Sequence, residues 1–185
     1  NTAIGKDALR TNTTASNNVA VGADALELNT TGTANTAIGR LALAENTTAS
    51  NNVGIGHNAL TSNTTGSQNV ALGSLALDAN TTGGNHVAVG YLALSANTTG
   101  ANHIAIGGLA LKQNTTGSDN LAIGYSTLEN NTTGIRNVGV GSNTLEDNVD
   151  GNYNVAVGYD VLREATANNN VGVGYQALKT NTTGS

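Results

Sequence analysis

The sequence contains no proline, cysteine, methionine, tryptophan or phenylalanine, and only five tyrosines. A globular domain of 185 residues builds its core from large side chains, and here the apolar content is Ala, Val, Ile and Leu. These are diluted by 24 glycines and abundant Asn and Thr, a bias that points to a repeat architecture. Without cysteine there is neither a disulfide framework nor a thiolate metal site. Seven Lys and Arg against twelve Asp and Glu leave a net charge of −5. No basic stripe is present to hold a phosphate backbone, so nucleic acid is not an expected partner. No apolar run approaches the roughly 20 residues that cross a bilayer. The chain opens at Asn1 with neither Met nor a signal peptide, and reads as a segment of a longer fibre.

One glycine sets a ruler along the chain. Gly5, Gly22, Gly39, Gly56, Gly73, Gly90, Gly107, Gly124, Gly141, Gly158 and Gly174 are spaced by 17 residues nine times and by 16 the last time. With Asn1 as position 1, the consensus is N-[VTI]-A-[VI]-G-x-x-A-L-x-x-N-T-T-G-x-x in eleven copies. That reads as a single array over residues 1–185, with no recognisable caps. Position 9 is Leu in every copy, position 4 is Ile, Val or Leu, and position 2 is β-branched or Leu. Position 3 is Ala in eight copies and Gly in three. Sixteen of the 19 charged residues fall at positions 6, 7, 10 and 11, which marks those positions as solvent-facing.

The recurring Gly and Asn-Thr-Thr break helices and make turns, and the β-branched residues at 2 and 4 alternate with a small one at 3. The pattern predicts a strand at positions 1–4, a turn at Gly5, a second strand near 7–10 and a turn through N-T-T-G. Each repeat then forms one coil of an all-β parallel β-solenoid (β-roll). Eleven coils at about 4.8 Å each make a rod of roughly 50 Å. Stacking turns each repeat position into a column: Leu at position 9 is expected to form a core column, and Asn at position 12 an amide ladder from coil to coil. The ladder residues are Asn12, Asn29, Asn46, Asn63, Asn80, Asn97, Asn114, Asn131 and Asn148. Ala165 interrupts that column in the repeat that is one residue short, so a local irregularity is expected there.

Successive strand side chains point to opposite faces. Placing positions 2 and 4 inside the coil turns position 3 outward, yet position 3 accepts only Ala and Gly. This predicts a chain-to-chain interface along Ala20, Ala37, Ala71, Ala88, Ala105 and Ala122, with three strands meeting near an axis. The alternative is that Ala fits a cramped coil interior. At this point the residues match a known pattern. Asn18-Val19-Ala20-Val21-Gly22 and Asn35-Thr36-Ala37-Ile38-Gly39 resemble the YadA-like head repeats of trimeric autotransporter adhesins, and related phage tail-fibre repeats. The likeness runs through all eleven repeats. It implies a left-handed parallel β-roll, a parallel homotrimer, and adhesion to host surfaces or matrix. The 17-residue repeat is longer than the usual head repeat, and no coiled-coil stalk, membrane anchor or chaperone-like C-terminus is visible.

No catalytic constellation, phosphate-cradling loop or metal-ligand cluster is visible, so neither catalysis nor a cofactor is expected. Acidic residues such as Asp24, Glu27 and Asp78 read as solubilising. His86 and His103 replace the Asn of position 1 in adjacent coils, with Cα atoms expected about 5 Å apart. They are either candidate metal ligands or stand-ins for Asn as hydrogen-bonding ladder residues. Nine copies carry Asn-Thr-Thr, a glycosylation sequon that turn chemistry also explains. The expected function is a structural or adhesive surface fibre that presents repeated turns or spaces a distal tip, extracellular on a bacterial cell or phage. Two alternatives are a head-to-tail filament subunit and an ice-binding solenoid, the latter if Asn12 and Thr14 share one face.

Overall fold

The computed structural model describes residues 1–181. The chain is a β-solenoid whose eleven short strands form one parallel sheet in strict sequence order. The strands are β1 (Thr2–Ile4), β2 (Val19–Val21), β3 (Thr36–Ile38), β4 (Val53–Ile55), β5 (Val70–Leu72), β6 (Val87–Val89), β7 (Ile104–Ile106), β8 (Leu121–Ile123), β9 (Val138–Val140), β10 (Val155–Tyr159) and β11 (Val171–Tyr175). Register follows the repeat: Ala88 pairs with Ala105, and Ala156 with Gly172 across the shortened copy. There is no helix among the described residues.

Inter-coil backbone bonding continues well beyond the strand. Val19 N–H donates to Asn35 O at 2.9 Å, and Gly22 N–H to Ile4 O at 2.8 Å. Past the strand, Leu26 N–H donates to Ala42 O at 3.0 Å and Thr30 N–H to Thr47 O at 2.9 Å. Each coil thus satisfies its backbone on the coils above and below, which is why no single repeat is stable alone. Position 5 must be glycine: Gly22 has φ of 137°, and a Cβ there would lie 2.5 Å from Gly39 O in the next coil.

The second strand expected near positions 7–10 does not form. Positions 6–11 instead make consecutive tight turns, with Ala25 N–H donating to Gly22 O at 3.4 Å and Asn29 N–H to Leu26 O at 3.2 Å. The physical cause is a left-handed backbone at positions 7 and 9, seen in Asp24 (φ 60°) and Leu26 (φ 50°) and repeated in the other coils. Asp and Asn adopt this region readily, but Leu does so at a cost of about 1–2 kcal/mol. Here the bend swings the Leu side chain into the coil, where Leu26 through Leu162 are wholly buried. Burial of a Leu is worth about 1.5–3 kcal/mol, enough to offset the strain.

The interior also corrects the phase of the strand. Position 3 points into the coil, not out of it: Ala20, Ala37, Ala71, Ala88, Ala105 and Ala122 have no exposed surface. They therefore cannot form the interface expected between chains. The small residue is demanded by the Leu of the preceding coil. At Gly54 a Cβ would sit 3.2 Å from Ala59 O and 3.3 Å from Leu43 Cγ, so even a methyl group is tightly held there. Position 8, Ala in most copies, completes the interior. At two of the three coils where position 8 is larger than Ala, position 3 of the next coil is Gly; the third, Thr144, is followed by Ala156. Thr127 faces Gly139, where a Cβ would lie 2.6 Å from Thr127 Cγ2, and Val161 faces Gly172 at 2.7 Å.

Candidate functional site

Two columns of buried amides run the length of the coil interior. In the first, each position-12 Asn from Asn29 to Asn148 donates through Nδ2 both to the Oδ1 of the Asn one coil earlier and to the position-15 carbonyl three residues on. Asn63 reaches Asn46 Oδ1 at 3.1 Å and Gly66 O at 2.9 Å, and its own Oδ1 accepts from Asn80 at 2.8 Å. The same bonds link Asn12, Asn29 and Asn46 below, and Asn97, Asn114, Asn131 and Asn148 above. At the short repeat Ala165 offers no amide, and Asn148 Oδ1 is left buried without a partner. The irregularity expected there is therefore a break in the ladder, and β10 and β11 beside it lengthen to five residues each.

The second column lies at position 1, where the sequence reading marks His86 and His103 as stand-ins for a ladder Asn but does not mark the column as buried. Asn52 Oδ1 accepts the backbone N–H of Asn69 at 3.0 Å, and Asn52 Nδ2 donates to Gly66 O at 2.9 Å. The signal was available, since position 1 is Asn in nine copies and His in two. Reading it as the start of a strand concealed its inward orientation.

His86 and His103 occupy this second column, buried and stacked with ring centroids 5.2 Å apart. Their ring nitrogens substitute for the amide atom by atom. His86 Nδ1 accepts the His103 N–H, and His103 Nδ1 accepts the Asn120 N–H, both at 3.3 Å. His103 Nε2 then carries the proton and meets Gly117 O at 2.7 Å. Both Nδ1 lone pairs are committed to backbone N–H groups, so the rings act as ladder residues and hold no free donor atom for a metal. Among the described residues no group of three or more His, Cys, Asp or Glu is placed to hold an ion. Burial pushes the His86 pKa down to about 3, assisted by the neighbouring ring, and pushes that of His103 down to about 4.

Outside, the surface divides into columns. Positions 2 and 4 of the strands face outward: Ile38, Leu72, Ile104 and Ile106 are each about two-fifths exposed (38–42 %). Among the described residues these two columns hold twenty aliphatic side chains and two Thr, with no charge in any coil. Beside them at position 6 lie Tyr91, Tyr125, Tyr159 and Tyr175, the last two stacked at 5.6 Å. Charges pair between neighbouring coils at position 10, as Arg10 with Glu27 and Lys112 with Glu129 (3.2 Å). Thr at position 14 is exposed from Thr14 to Thr133, whereas Asn29 through Asn148 are wholly buried. Asn12 and Thr14 thus do not share a face, and the flat Asn/Thr array considered for ice binding is absent. The same burial withdraws the sequon amides of Asn29 through Asn131 from any glycosylating enzyme once the coil is formed.

No protein-family model, curated protein or solved structure matches the chain. No helix among the described residues is long and apolar enough to cross a membrane.

Proposed function

We propose that this chain is a non-enzymatic segment of an extracellular surface fibre, on a bacterial cell or phage, that assembles as a parallel homotrimer and adheres along its length. The observation that carries the reading is the outward stripe at positions 2 and 4. Sixteen of the charges crowd into four other positions, yet none enters this stripe in eleven copies. A solvated column free to vary would have admitted Lys, Ser or Asp. Contiguous exposed apolar surface of this extent marks an association surface. A second copy presents the same stripe at the same axial period, so the two match coil by coil without adjustment. The number three comes from the resemblance of N-[TV]-A-[IV]-G-x-x-A-L to trimeric adhesin heads, with the stripe as the contact in place of the Ala column.

Adhesion rests on repetition. The exposed turns present nearly the same Thr surface in each of the first eight coils, and identical weak sites on a stiff scaffold gain avidity when one ligand spans several. Arrays of four, seven and eleven repeats tested on cells and matrix should bind progressively more tightly. Absence of binding at every length would make the segment a spacer for a distal tip. Equal binding by the shortest array would replace distributed adhesion with one localised site.

A further inference from the structure

The two histidines serve no purpose in the fibre that Asn does not already serve in nine other coils. They differ from Asn in one respect, which is that an imidazole can take up a proton. From their geometry we propose that the stacked pair His86 and His103 makes coils 6 and 7 an acid-sensitive weak point, where the array opens first as pH falls.

The argument starts from the tautomer. Each Nδ1 faces a backbone N–H of the following coil, at 3.3 Å in both cases. A second proton can only go on Nδ1, where it would point at another donor and break the inter-coil bond at the entrance to β7 or β8. Two imidazolium rings with centroids 5.2 Å apart would also repel across a buried interior. Little around them offsets this. The atoms against the rings are the amides of Asn97 and Asn114 and the backbone carbonyls of Gly100 and Gly117, which already accept the Nε2 proton of the neutral rings. Asp119 is the one acidic group that favours protonation of His103, and it is engaged by Asn102 at 3.0 Å and Arg136 at 3.6 Å. His57, the remaining histidine, lies on the surface near Arg40 and takes no part.

The direction of the effect follows from linkage. Unfolded or opened His titrates near 6.5, and the folded rings stay neutral down to about 4 and about 3. Between those limits the open form binds more protons, so the stabilisation is complete above pH 6.5 and drains away as pH falls. At pH 4.5, two units below the open-state value, release of one ring favours opening about 100-fold and release of both about 10,000-fold.

The test compares the full chain with His86→Asn/His103→Asn by amide hydrogen exchange at equal pH, which cancels intrinsic exchange and the titration of carboxylates. The variant restores the residue that position 1 carries elsewhere, so it is expected to fold. At pH 7 the two chains should exchange alike. At pH 4.5 residues 86–120 of the native chain should exchange at least about 100-fold faster than in the variant, while residues 18–52 remain equal. Equal exchange over residues 86–120 at pH 4.5 would overturn the proposal. So would His86 and His103 imidazole resonances that titrate near pH 6.5 in a chain whose coils 6 and 7 remain protected.

Discussion

Replacing Asn63 by Ala removes one rung of the position-12 ladder in a stretch where its neighbours are all Asn. Two donated bonds and one accepted bond disappear, at 3.1, 2.9 and 2.8 Å. The consequences for the three partners differ. Gly66 O keeps the amide of Asn52 at 2.9 Å, and Asn80 Nδ2 keeps Gly83 O at 3.0 Å. Asn46 Oδ1 has no other donor and becomes a buried orphan, as Asn148 Oδ1 is beside Ala165. One stranded acceptor costs about 1–3 kcal/mol, and each of the two other lost bonds roughly 0.5–1.5 kcal/mol, which places the total at about 2–6 kcal/mol. Repeat arrays open locally and do not melt in one step, so the suitable assay is amide exchange resolved along the chain. Peptides covering residues 46–83 should exchange about 30-fold faster at the least and up to about 20,000-fold faster, with coils 8–11 unchanged. A change below about threefold would mean that the ladder is ornamental and that backbone bonding alone holds the coils together.

Three further changes probe the interior. Leu94→Ala should destabilise coils 5–7 by about 2–5 kcal/mol in local exchange, and a loss below about 0.5 kcal/mol would remove position 9 from the core. Gly139→Ala should destabilise by about 1–3 kcal/mol through contact with Thr127 Cγ2, and adding Thr127→Ala should restore most of the loss; no rescue would refute the pairing of positions 3 and 8. Ala165→Asn with the missing residue restored should re-pair Asn148 Oδ1 and slow exchange in coils 9 and 10 by about tenfold or more, unchanged exchange being the contrary result.

Much of this architecture was legible because stacking repeats each position eleven times. The Gly5 ruler gave the coil, Thr2–Ile4 and its equivalents gave the strand, and Asn12 through Asn148 gave a ladder that the structure contains. The side of the sheet was not legible. Alternation at positions 2, 3 and 4 fixes two faces but not which one is inside, and the larger side chains were assigned inward by habit of globular cores. The strand passes close to the Leu of the preceding coil, so Val and Ile have no room at position 3 and stand outward at positions 2 and 4, while Val161 enters the interior at position 8 beside Gly172. The second strand failed for a related reason. Nothing in the sequence announces a Leu in the left-handed region, since that conformation is disfavoured locally; full burial offsets it at Leu26 and its equivalents through Leu162, and the half-buried Leu41, Leu75, Leu92 and Leu109 adopt it at position 7 as well. The histidines were seen as neighbours in one column, but their role needed the positions of both ring nitrogens.

The most direct test of the account is the mass of the intact chain in solution by light scattering, measured together with Val87→Lys/Val89→Lys and Ala88→Glu. Native chains should have three times the 18.4 kDa chain mass. The double Lys variant, altered only on the outward stripe, should fall to a single chain while keeping its β circular dichroism. Ala88→Glu places a charge at a wholly buried position and should lose structure in coil 6 instead. A native monomer would contradict assembly through the stripe, as would a double Lys variant that still assembles.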